Sequence, residues 1–162
     1  MERTRTFTWE DPYTVPRKAA GKTGLELLTA LIEGRLPPPP IAKTLDFNLV
    51  EASEGRAVFV GDVAEFLYNP IGSVHGGFAM TLLDSAMGCA IHSTLGIGEL
   101  YTTLEVKVNF IRAITMDTGR VRCEGVVLYR GGRIATAEGK VFAEDSGKLL
   151  AHGSTTCLVI KS

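Results

Sequence analysis

The clearest rhythm in the chain runs from Thr103 to Phe110, where Leu104, Val106, Val108 and Phe110 alternate with Thr103, Glu105, Lys107 and Asn109. A period of two marks a strand with one face covered. Residues 45–53 and 56–64 alternate more loosely and predict two more strands, joined by a turn at Glu54-Gly55. Val121–Arg130 predicts a further strand, Gly131-Gly132 a hairpin turn and Arg133–Ala143 its returning partner. Asp145-Ser146-Gly147 is another turn, ahead of a last strand through Cys157-Leu158-Val159-Ile160. One element breaks the pattern. From Gly76 to about Ser93 the chain is apolar on nearly every side, which predicts a buried helix on the order of 27 Å long at ~1.5 Å per residue.

Upstream, Thr23-Gly24-Leu25-Glu26 has the spacing of a capping box, and Leu27, Leu28, Leu31 and Ile32 form an apolar stripe behind it. Gly34 is the expected stop, and Pro37-Pro38-Pro39-Pro40 an extended linker. The first 22 residues read as an irregular arm. The expected organisation is therefore residues 1–40 as an arm with one short helix and residues 41–162 as a single α+β domain. In that domain an antiparallel sheet curls around one long helix. The sheet covers only one side of such a helix, and a second copy of the chain is the simplest cover for the rest.

Composition changes this picture little. With 162 residues and 45% apolar content, the chain can bury a sizeable core. A net charge of -1 without a basic run gives no nucleic-acid footprint. The opening MERTRTFTWEDPYTVPRKAAGK has no apolar stretch of the secretory kind, and Asp84 and His92 interrupt the apolar run Val74–Leu95, against a membrane span. Cys89, Cys123 and Cys157 are scattered and flanked by apolar residues, as buried reduced thiols of a cytoplasmic protein would be.

The chemistry concentrates in NPIGSVHGGFAMTLLD, Asn69 to Asp84. Backbone N–H groups at a helix start can hold negative charge on an oxygen, and a carboxylate among Leu82, Leu83, Ala86 and Met87 needs a partner or a task. Together they suggest chemistry at a carbonyl. Gly76 and Asp84 are eight residues apart, about 12 Å along one helix, so they cannot both touch one carbonyl within a chain. Antiparallel copies of the helix would bring Gly76 of one against Asp84 of the other. Ser73 and Ser85 lack a G-x-S-x-G setting, and His75, Asp84 and His92 match no metal-ligand spacing, so neither a serine nucleophile nor a metal is expected. Arg130, Arg133 and Lys140 flank the Gly131-Gly132 hairpin, where they would suit either a solvated tip or the phosphates of a ligand.

The order of elements and the pattern N-x-x-G-x-x-H-G-G followed by L-x-D resemble the hotdog-fold acyl-CoA thioesterases, in particular the phenylacetate-degradation type, over roughly residues 45–160. That resemblance makes residues 41–162 the hotdog domain. It implies hydrolysis of a small aromatic or short-to-medium acyl-CoA without a cofactor. It places an Asn that holds water or thioester on Asn69, the carbonyl-polarising N–H on Gly76 with Gly77 and His75 beside it, the carboxylate nucleophile or general base on Asp84, and an assisting hydroxyl on Thr103. Arg130 and Arg133 become candidates for binding coenzyme A, and Phe47, Phe78, Phe110 and parts of the N-terminal helix for lining the pocket. It further implies active sites shared between the subunits of a dimer, with dimers often pairing into tetramers. The rival readings are an acyl-CoA hydratase or dehydratase on the same fold, against which the missing H-F-P-x-x-P stands, and a non-catalytic acyl-CoA-binding module, against which Asp84 stands.

Overall fold

The structure, a computed structural model, describes residues 1–161. The alternating stretches form six strands, β1 (Phe47–Ser53), β2 (Arg56–Gly61), β3 (Glu99–Phe110), β4 (Val121–Arg130), β5 (Ile134–Ala143) and β6 (Leu149–Lys161). They make one antiparallel sheet in the order β1-β2-β4-β5-β6-β3. Four helices are α1 (Thr14–Lys18), α2 (Gly24–Ile32), α3 (Pro40–Leu45) and α4 (Gly76–His92). The sheet curls around α4, which touches every strand. Leu82, Leu83, Ala86, Met87 and Ile91 are sealed in the core between them.

A row of glycines crosses the sheet, and two of them, Gly125 and Gly139, let α4 sit close against it. Gly125 pairs with Gly139 and Gly139 with Gly153, on β4, β5 and β6. A Cβ at Gly125 would lie 2.4 Å from the Ala86 carbonyl of α4, a separation that atoms do not reach. At Gly125 the missing side chain lets helix and sheet backbones approach directly, at Gly139 it makes room for the Leu83 and Met87 side chains of α4, and at Gly153 it makes room for the Lys107 carbonyl of β3.

One stripe of α4 is left open. Met80 and Asp84 are exposed, with Gly76, Gly77 and Thr81 half-buried beside them. Next to the stripe runs β3, whose outer edge has no strand partner among the described residues. Leu100, Leu104 and Phe110 of β3 are each more than half exposed, at 55%, 56% and 56%. A long apolar edge of this kind is a template for pairing with another chain.

Near the N-terminus the structure adds to the expectation. α2 forms with its capping box intact: the Glu26 N–H donates to Thr23 Oγ1, and Glu26 Oε2 accepts from the Thr23 N–H at 2.7 Å. α1 and α3 were not expected. α1 buries no residue, so it leaves no apolar stripe in the sequence. α3 begins at the last proline of the run, where a helix needs no N–H, and ends at Asp46 in the left-handed region with φ 59. The helix α2 docks on the far end of α4: Gly24 donates to the Leu95 carbonyl at 2.9 Å, and a Cβ on Gly24 would stand 1.7 Å from the His92 carbonyl oxygen. Gly24→Ala therefore has to displace α2. Its expected result is faster tryptic cleavage near Lys22 and a Tm lower by a few degrees, roughly what a cost of about 1–3 kcal/mol produces.

Candidate active site

The loop before α4 is built by Asn69. Its Oδ1 accepts from the backbone N–H groups of Ile71 and Ser73, and its amide donates to Ser73 Oγ at 3.1 Å. Gly72, at φ +84, completes the turn. One amide hydrogen of Asn69 is left over. The chain is then pinned on both sides, Val74 donating to Ile114 O at 2.9 Å and His75 to Leu67 O at 2.7 Å.

The start of α4 is thereby fixed, and its N–H groups sort themselves. His75 is the N-cap: its Nδ1 accepts from Gly77 at 2.8 Å, which leaves the proton on Nε2. Phe78 donates to the His75 carbonyl at 3.0 Å. The Gly76 N–H donates to no described residue. It lines a cleft of about 330 Å³ together with Asn69, His75, Phe110 and Arg112. A free N–H at the positive end of a 17-residue helix is a ready site for a partly negative oxygen.

Asp84 stands two turns further along the open stripe. Its Oδ1 accepts from Thr103 Oγ1 at 3.0 Å. Thr103 is aimed there by a bulge in β3: it pairs with Cys157, Glu105 pairs with Thr156, and Leu104 is the extra residue between them. The Asp84 charge is felt by three neighbours, Cys89, Tyr101 and Cys157. Burial, and then Asp84, push the Cys89 thiol up to about 12. Burial is also the first cause of the rise at Tyr101 and Cys157, with Asp84 adding to both. Cys89, Cys123 and Cys157 are all free, and burial raises all three, so they are protonated thiols rather than nucleophiles.

The sequence-derived residues therefore fall into three groups. Asn69, His75, Gly76 and Gly77 share one loop and helix start, with the N–H of Gly77 already used by His75. Asp84 and Thr103 meet in mid-helix. Arg130 and Arg133 lie at the β4–β5 hairpin, where Arg130 Nη2 pairs with Glu99 Oε2 at 2.7 Å, the side chains 22% and 18% exposed. Arg130 also donates to the Gly131 carbonyl, so it pins the hairpin to the start of β3. Arg133 is exposed. Phe47 and Phe78 stand apart from that cleft: at 1% and 3% exposure they belong to the core, Phe47 against Phe59 and Phe78 against Gly61. Phe110 does line the cleft at Gly76. Among the described residues no three His, Cys, Asp or Glu side chains gather as a metal site, and no helix is long and apolar enough to cross a membrane.

Comparison with known proteins adds a family. The thioesterase superfamily matches residues 71–150, the span from the loop before α4 into β6. A Saccharolobus solfataricus protein whose name proposes an esterase is 30% identical over 122 residues, 75% of this chain and 84% of that protein. A Listeria monocytogenes 1,4-dihydroxy-2-naphthoyl-CoA hydrolase is 24% identical over 121 residues, 75% of this chain and 96% of that one. Among solved structures, a variant of the phenylacetic acid degradation protein PaaI from Thermus thermophilus superposes with a TM-score of 0.66 at 28% identity, over 74% of this chain and 97% of that chain.

Proposed function

The chain belongs to the thioesterase superfamily and is a thioester hydrolase; we propose that it cleaves acyl-CoA esters, of small aromatic or short-to-medium acyl groups, at sites shared between two subunits. The observation that carries this reading is the unpartnered Gly76 N–H at the mouth of the cleft, about 12 Å along the helix from the exposed carboxylate of Asp84. One chain holds an oxyanion site and a base that cannot reach each other.

In the proposed arrangement the open stripe of α4 and the free edge of β3 meet the same surfaces of a second copy, antiparallel. The apolar residues Met80, Leu100 and Leu104 are then covered, and Gly76 of one subunit faces Asp84 of the other. The thioester oxygen lies on the Gly76 N–H, where helix dipole and exclusion of water stabilise its growing charge. Asp84 either takes a proton from a water held by the spare amide hydrogen of Asn69 or attacks the carbonyl itself. Either attack makes the carbonyl carbon tetrahedral; its C–S bond then breaks and the thiolate of coenzyme A leaves. In the general-base route the thiolate takes the proton back from Asp84. In the nucleophilic route it takes one from solvent, and water then hydrolyses the Asp84–acyl anhydride, releasing the acid and restoring the carboxylate. His75 acts here as the cap that orients the helix start. Of the two hairpin arginines, Arg133 is the one free to meet phosphates, since Arg130 is engaged by Glu99.

Thr103 holds the Asp84 carboxylate in place. Thr103→Val keeps the shape and removes the donor, and is expected to lower kcat about tenfold with KM and Tm nearly unchanged, the ordinary loss for one hydrogen bond to a charged group. The reading as a whole is tested by release of free thiol from a panel of acyl-CoAs. Turnover of aromatic or short-to-medium esters is expected; turnover of none, with hydration of an enoyl-CoA instead, would replace this reading by the hydratase one.

A further inference from the structure

The first 13 residues form an arm over the surface, and all but one of them are exposed. The exception is Arg5, which is half-buried. An irregular terminal segment stays in place only where something ties it down, and Arg5 is that tie. Its guanidinium lies over the ring of Phe66, 3.7 Å from the centroid, and 5.0 Å from that of Phe7. Its nitrogens donate to two carbonyls, Nη1 to Thr44 O and Nη2 to Lys43 O, the latter at 2.9 Å. Both carbonyls belong to the last turn of α3, where a helix has no N–H of its own to offer them. Stacking on a ring while donating in the plane of the fork is a combination particular to arginine. Arg3 adds an ion pair with Glu65, exposed and therefore weak.

The tie ends beside the candidate active site. Phe66 is the middle residue of the 3₁₀ turn Glu65–Leu67, and Leu67 after it is buried. The Leu67 carbonyl accepts from the His75 N–H at 2.7 Å. His75 caps α4, and the free Gly76 N–H follows it directly. From Arg5 to the oxyanion donor the path is therefore the Phe66 ring, the Leu67 carbonyl and the His75 backbone. The other side of the loop is held independently, by Val74 on Ile114 O at 2.9 Å. The arm lies outside residues 71–150, the span that matches the thioesterase superfamily.

We propose that Arg5 is a positioning residue: by clamping α3 to the Phe66 ring it holds the Leu67 carbonyl, and through His75 the Gly76 N–H, where the thioester oxygen binds. The inference rests on the reading of Gly76 as the oxyanion donor. Arg5 itself touches no reacting atom. Such a donor tolerates little displacement, since a misplacement on the order of 1 Å can cost up to about a hundredfold in rate. A loosened Leu67 shifts the donor by less, and a loss of about tenfold in kcat is expected.

The test uses the full-length protein with Arg5→Ala and, separately, Phe66→Leu, which remove the two halves of the clamp. Amide hydrogen exchange reads the brace without reference to activity. In either variant the His75 amide is expected to exchange about tenfold faster, while Val74, held from the other side, keeps its wild-type rate. On the best acyl-CoA of the panel, kcat should fall about tenfold with KM unchanged. Arg5→Ala added to Gly76→Pro should cost nothing more, because the donor it positions is already gone. Slow exchange at His75, equal acceleration at Val74, an unchanged kcat or a full further loss on Gly76→Pro would each overturn the inference and leave the hydrolase reading standing. Gly76→Pro with normal turnover overturns the reading of Gly76 and takes the inference with it. A wild type that hydrolyses no acyl-CoA overturns both.

Discussion

Asp84→Asn is expected to lower kcat on the order of a thousandfold while the protein stays folded. The change is close to isosteric at an exposed position, so nothing in the core has to move. The Asn side chain can still accept the Thr103 hydroxyl through its oxygen, and the local geometry should survive. What disappears is the ability to take a proton or to attack a carbonyl, and general-base assistance alone is typically worth about 10²–10⁴-fold. The check is single-turnover hydrolysis of the best acyl-CoA from the panel alongside a thermal melt. Near-normal turnover would remove Asp84 from the chemistry whatever the melt showed.

Gly76→Pro is the complementary experiment, since it deletes one hydrogen-bond donor. Gly76 is the first residue of α4, where proline is welcome, and His75 before it already has the extended backbone that a following proline requires, at φ -60 and ψ 134. The Gly76 N–H serves no bond in the fold, so its loss costs no internal hydrogen bond. The side chain it would crowd is the ring of Phe110, which is exposed and can yield. Oxyanion donors are worth on the order of a hundredfold or more in kcat, and that loss is expected here with little change in KM. Unchanged kcat would mean that the carbonyl oxygen is held elsewhere.

Much of this was legible in the sequence because the covered faces are simple. Alternation in Leu104–Phe110 follows from a strand with one face on a core, and the apolar run after Gly76 follows from a helix that a curled sheet surrounds. What stayed hidden depends on approach rather than period. The row Gly125, Gly139 and Gly153 has meaning only once register sets the three side by side. The helix α1 buries nothing, and α3 starts inside a proline run that reads as a linker. The site residues followed the same rule. Gly76 and Asp84 stand out by their setting, a helix start and a carboxylate among apolar residues, whereas Asn69 is marked by the family resemblance. The contact of Thr103 with Asp84 needed a bulge, and the pairing of Arg130 with Glu99 needed β3 to begin four residues before the clear alternation.

The central claim is that each site takes Gly76 from one subunit and Asp84 from the other, and mixed dimers test it most directly. Asp84→Asn and Gly76→Pro chains carrying different affinity tags can be co-expressed and purified over both. In such a dimer one site carries both defects and the other carries neither. The account predicts about half the wild-type activity per dimer, recovered from two nearly inactive parents. A mixed dimer no more active than its parents would contradict it, as would failure of the two chains to purify together.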